Sequence, residues 1–138
     1  MGKLLERLLD PSRSGVYCAA RHDAIADAAQ GSALEVVDIQ LEKEKLFDAF
    51  ASALGFPAWF GRNWDALEDC LGDLSWREAR GHVLILRGGE KLAKDDFGVL
   101  RDVLASSAEY WAGRGKPFFA VFIDPQCLLG LPNLYKAK

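Results

Sequence analysis

Two unbroken apolar runs, HVLILR at 82–87 and FFAVFI at 118–123, constrain this chain more than any other feature. A strand with one wet face alternates apolar and polar residues. A run without alternation belongs to a strand covered on both faces, as in a parallel sheet packed with helices. Between the runs, Phe97, Leu100, Leu104, Ala108 and Trp111 recur at steps of three and four, which predicts a long helix capped by Asp96 and stopped by GRGKP at 113–117. Upstream, LEVVDIQL (34–41) alternates at Val37, Ile39 and Leu41 as a strand does, and Lys43 to Leu54 brings Leu46, Phe47, Phe50 and Leu54 to one helical face before GFP ends it. GVYCAA (15–20) reads as a short strand, and DAIADAAQG (23–31) as an Ala-rich helix closed by Gly31. Strand and helix alternate throughout. The expected fold is therefore α/β: a small, mainly parallel sheet of about three or four strands packed with helices.

The 138 residues, half of them hydrophobic, suit a single domain spanning 1–138 with one core. The tail at 124–138, with two prolines and KAK at its end, is expected to be loosely held. No apolar stretch is long enough for a membrane span. The opening MGKLLERLLDPSRSG lacks a secretory pattern, its leucines 4, 5, 8 and 9 being broken by Glu6 and Arg7, so a cytoplasmic protein is expected. Cys18, Cys70 and Cys127 make an odd set without CxxC spacing, which argues against a disulfide framework or a zinc site and for small buried side chains. A net charge of −3 disfavours direct nucleic-acid binding and is compatible with a basic partner.

One segment mixes aromatics and acids: FPAWFGRNWDALEDCL, 56–71. Asn63 suits the cap of a short helix over 63–71, and Asp65 then falls in the first turn, where the helix dipole favours negative charge. At about 100° per residue, Trp64, Leu67, Cys70 and Leu71 share the arc that docks on the core. Asp65 and Asp69 stand together on the neighbouring arc, about 6 Å apart and flanked by Glu68. Such a face is either a solvated helix surface with a dipole bonus or a cation-binding edge, and spacing alone leaves both open. The same holds for Trp59 and Phe60 in the preceding loop. The two rings either plug the gap between helices, or one stays at the surface beside the carboxylates, where it would suit recognition of arginine and lysine.

The run W-F-G-R-N-W-D-A-L-E-D-C-L, 59–71, resembles the signature of the barstar-like family, intracellular inhibitors of barnase-type extracellular ribonucleases. The flanking elements agree, and the resemblance covers roughly 34–123. Residues 1–33 would then be an added arm and strand–helix unit, able to extend the sheet or support self-association. The resemblance implies that Asp65 and Asp69 enter the ribonuclease active site in place of RNA phosphates, that Trp59 packs over that site, and that Gly61 and Asn63 are the neighbouring loop and cap contacts; Phe60 and Glu68, set among them, are expected on the same partner-binding face. It also implies a further carboxylate from the long helix, for which Glu109 is the candidate. Glu68 and Arg62 depart from the family pattern, which has an aromatic and an acid at those places. The expected partner is thus a barnase-type ribonuclease or a similar basic protein. The alternative is a barstar-like module binding a different, non-ribonuclease partner. Paired acids can also do acid–base catalysis, but both come from one turn of one helix and cannot face each other across a substrate. His22 and His82 lie in no catalytic motif, so an enzyme is not expected, nor a metal or cofactor.

Overall fold

The computed structural model describes residues 2–126 and 128–135. The elements in chain order are α1 (Gly2–Leu8), β1 (Gly15–Ala19), α2 (Asp23–Ala29), β2 (Leu34–Gln40), α3 (Leu46–Leu54), α4 (Trp64–Asp73), β3 (Gly81–Arg87), α5 (Lys94–Gly113) and β4 (Phe118–Ile123). The four strands form one sheet in the order β1-β4-β3-β2, so the two apolar runs are its central pair. All pairings are parallel, with Gly15 opposite Phe119, Phe118 opposite His82, and Gly81 opposite Leu34.

Both faces of the central pair are covered, which is why neither run alternates. Leu84, Leu86, Phe118, Ala120 and Phe122 face a core built with α3, α4 and α5, joined by Val37 and Ile39 of β2. Val83, Ile85, Phe119 and Val121 face a second core under Leu8 of α1 and Ile25 and Ala29 of α2. The chain therefore crosses from one edge strand to the other over the α2 face. It returns strand by strand over the face that carries α3, α4 and α5.

The fold is α/β and parallel, as expected, and the unit at 15–30 extends the sheet as its β1 edge. Some boundaries shift. The helix expected from Lys43 begins at Leu46, because the cap position, Lys45, offers no side-chain acceptor and residues up to it turn through a Lys45 N–H to Glu42 carbonyl bond of 3.2 Å. Asp96 does not cap α5. That helix starts at Lys94 behind Ala93, leaving Asp95 and Asp96 in the first turn, where the dipole still favours them.

The loosely held tail is a further correction, as far as residue 135. Leu134 is fully buried, the Cys18 amide donates to the Pro132 carbonyl at 2.8 Å, and the Leu134 amide donates to the Cys18 carbonyl at 2.9 Å. The segment thus covers the open side of β1, a protection that edge strands need. Cys18 and Cys70 are buried as expected, while Cys127 lies outside the described residues.

Candidate partner-binding site

α4 presents the acidic face, and its start is built from the preceding loop. Gly55 ends α3 with φ +67°, a backbone conformation that glycine adopts without strain. The chain then makes a turn in which the Phe60 amide donates to the Pro57 carbonyl at 3.0 Å. Trp59 sits at the outer corner of this turn and Phe60 at its exit. Their fates diverge accordingly: Trp59 is 69% exposed and Phe60 only 5%. The Phe60 ring meets Phe56 at 4.8 Å and Phe47 at 6.5 Å, both edge to face.

Asn63 then caps α4, its Oδ1 accepting from the Ala66 amide at 2.8 Å while its Nδ2 donates to the Gly61 carbonyl at 3.3 Å. A Cβ on Gly61 would stand 3.2 Å from that Nδ2, a tight contact to which the doubled-back side chain would have to give by a few tenths of an ångström. Arg62 follows Gly61 with φ +52° and pairs with Asp48 of α3 at 2.5 Å, which directs its charge to α3.

Leu67, Cys70 and Leu71 bury one side of α4, and Trp64 lies half-buried at the core's edge, 5.0 Å from Phe47. Burial, with the charges of Asp69 and Asp73 adding to it, pushes the Cys70 thiol up, so it stays protonated. α5 clamps the helix from the side: Trp111 Nε1 donates to the Leu71 carbonyl at 2.8 Å. The Trp111 ring in turn meets buried His82, whose Nδ1 lies 3.1 Å from Glu35 Oε1. A carboxylate only accepts, so the neutral imidazole carries its proton on Nδ1. Burial pulls His82 below its ordinary value of 6.5, against the opposing pull of the Glu35 hydrogen bond.

On the solvent side Asp65, Glu68 and Asp69 are exposed. None of the three forms a salt bridge with another described residue. Glu68 is held by the Ser106 hydroxyl of α5, which donates to its Oε2 at 3.0 Å.

The family model described as Barstar (barnase inhibitor) matches residues 33–123, which contain this entire face together with β2, β3 and β4. The chain belongs to the barstar family. No curated protein matches it at a significant level.

Within this barstar-family fold, Trp59, Gly61, Asn63, Asp65, Glu68 and Asp69 lie at the surface on or beside α4. Phe60 does not. It was expected on the contact face, but the turn aims its ring into the gap between α3 and α4, where it packs as core. Glu109, the candidate on α5, is exposed. The α5 residues that meet Glu68 and Asp69 across a shared hollow are Ser106, Ser107 and Tyr110. Sequence reasoning missed Ser106 and Tyr110. Their signal was present, four residues apart and in register with buried Val103 and Ser107, but which arc of α5 faces α4 depends on how the helices cross.

Proposed function

We propose that this barstar-family chain inhibits a barnase-type extracellular ribonuclease by laying the acidic face of α4 into the enzyme's cationic cleft. The observation that carries the reading is the set of Asp65, Glu68 and Asp69, exposed and without ion pairs among the described residues, on a helix whose preceding loop carries the exposed ring of Trp59. An RNA-cleaving site binds phosphate and so gathers cations. Carboxylates on a rigid helix are complementary to such a cleft, speed association at low salt, and form charge-assisted hydrogen bonds with arginine forks once docked. Asn63 holds the first turn in place, and Trp59 supplies the apolar contact that excludes water at the rim.

Inhibition of RNA cleavage by a panel of barnase-type ribonucleases tests this reading. Removing one docked carboxylate strands its partner and typically costs about 2–5 kcal/mol, a range taken from measured charge pairs that include the barnase–barstar complex rather than worked from this structure. Asp65→Ala and Asp69→Ala are each expected to weaken inhibition at least about tenfold with the fold intact. Full inhibition by both variants would refute the assignment of the face.

A further inference from the structure

The two edges of the sheet are finished differently. At β1 the outward amide and carbonyl of Cys18 are taken by Pro132 and Leu134. At β2 the hydrogen bonds to β3 fix which groups face out. The Leu41 amide donates to the Arg87 carbonyl, while the His82 amide turns the other way, to the Pro117 carbonyl ahead of β4. With Glu35 level with His82, the odd-numbered residues of β2 bond to β3. The backbone groups of Leu34, Val36, Asp38 and Gln40 therefore point away from the sheet. The Leu34 amide agrees, donating instead to Ser32 Oγ at 3.2 Å. Among the described residues no hydrogen bond reaches the backbone amide or carbonyl of Val36, Asp38 or Gln40.

Open edges are commonly guarded by lysine, proline, a bulge or an inward charge. The run LEVVDIQL at 34–41 has neither lysine nor proline, and β2 pairs with β3 in unbroken register from Leu34 to Gln40. Its exposed acid, Asp38, is already neutralised within the sheet, since Arg87 of β3 grips it through Nε and Nη2, each at 2.9 Å. Glu35 is likewise engaged, by Arg77 Nε at 2.6 Å.

The strand is also compatible with itself. In an antiparallel pair centred on Val37, Leu34 lies opposite Gln40, Glu35 opposite Ile39 and Val36 opposite Asp38. Every acid then meets an uncharged residue, and the outward groups of one copy fall against the outward groups of the other. Sliding the strands until Asp38 meets Asp38 would oppose like charges, so the charge pattern favours the centred register. Antiparallel pairing of two identical edges is two-fold and closes on itself.

We propose that β2 is a dimerisation edge: a second copy of this chain pairs its own β2 antiparallel to the first about Val37, joining two four-stranded sheets into one. The contact is one strand wide, so the dimer is weak and reversible. The pairing uses no residue of α4 or of the loop before it and does not depend on the proposed inhibition.

Sedimentation equilibrium from about 10 µM to about 1 mM, with amide hydrogen exchange at both ends of that range, tests the edge. A monomer–dimer equilibrium is expected, and the Val36 and Asp38 amides should gain at least about tenfold protection at the high concentration. The Val37 and Ile39 amides, bonded to β3, should be protected at both. Asp38→Pro removes an outward N–H and should weaken association at least about tenfold. Asp38→Lys places a charge on the edge without altering the backbone and should do the same, which covers a proline variant that fails to fold. Asp102→Lys, on exposed α5, should leave association unchanged. A monomer throughout the range, species larger than a dimer, a dimer that the Asp38→Lys variant leaves intact, or Val36 and Asp38 exchange independent of concentration would each overturn the edge.

Discussion

Trp59 and Phe60 are neighbours in sequence and near-opposites in exposure, which makes their truncation a sharp test of how the loop before α4 is built. Phe60 is 5% exposed and edge-packed on Phe47 and Phe56. Phe60→Ala removes a ring from a close-packed gap and should cost about 3–5 kcal/mol, which includes the cavity left behind. Against a total stability of roughly 5–15 kcal/mol, that is enough to lower a denaturation midpoint visibly or to unfold a marginal chain. Trp59, 69% exposed, has little native packing to lose, and Trp59→Ala should change stability by no more than about 0.5 kcal/mol. Its effect should fall on binding. An aromatic side chain buries up to about 250 Å², and covering the exposed share of Trp59 at about 25 cal/mol per Å² sets an upper limit near 4 kcal/mol. With imperfect packing at a rim, a loss of about 2 kcal/mol, or thirtyfold in affinity, is expected. Urea denaturation of both variants and inhibition by Trp59→Ala of whichever ribonuclease the wild-type protein inhibits give the two readouts. If Trp59→Ala proved as destabilising as Phe60→Ala, or if Phe60→Ala kept the wild-type midpoint, the turn that sorts the two rings would be wrong.

Two further outcomes follow from the polar contacts. Asn63→Ala should cost about 1 kcal/mol through the lost cap of α4 while Asn63→Asp keeps most of it; equal losses in thermal denaturation would mean that the side chain stabilises something other than the helix start. The pH dependence has a definite sign. Folded His82 titrates below its ordinary 6.5 because of burial, with Lys116 and Arg77 adding and Glu35 opposing, so the unfolded chain takes up the proton first as pH falls. Stability contributed by the neutral ring is present above about pH 6.5 and declines below it, and urea midpoints between pH 5 and 8 should show that slope flattened in His82→Gln. An unchanged slope in the variant would assign the acid sensitivity elsewhere.

Much of the architecture was legible because burial on both faces leaves an unmistakable mark in residue order. The runs at 82–87 and 118–123 lack polar interruptions, and they are the two central strands. The cap at Asn63 was equally legible, since an amide before a short amphipathic run has one local use. What escaped was decided by contacts between segments. Which of two adjacent aromatics turns inward depends on the Pro57–Phe60 turn, and nothing in the residue types separates Trp59 from Phe60. Tyr110 lines a hollow together with Asp69, and only the approach of α4 to α5 sets which residues of α5 do so. The tail is held by backbone hydrogen bonds to β1 and by one buried leucine, and backbone bonds have no signature in composition. Leu74 shows the same limit: a buried leucine ends α4 with φ +44°, where residue preference alone favours glycine.

The pairing of β1 with β4 also has a consequence for the order in which the molecule can be assembled. Gly15 and Phe119 are register partners roughly a hundred positions apart, so every pairing of β1 within the sheet waits for β4. β2, β3 and β4 follow one another along the family-matched segment and can pair as they emerge. β1 is thus made before its three partner strands and is the last of the four to find its place, and its outer edge stays uncovered until residues 132–134 lie down beside Cys18.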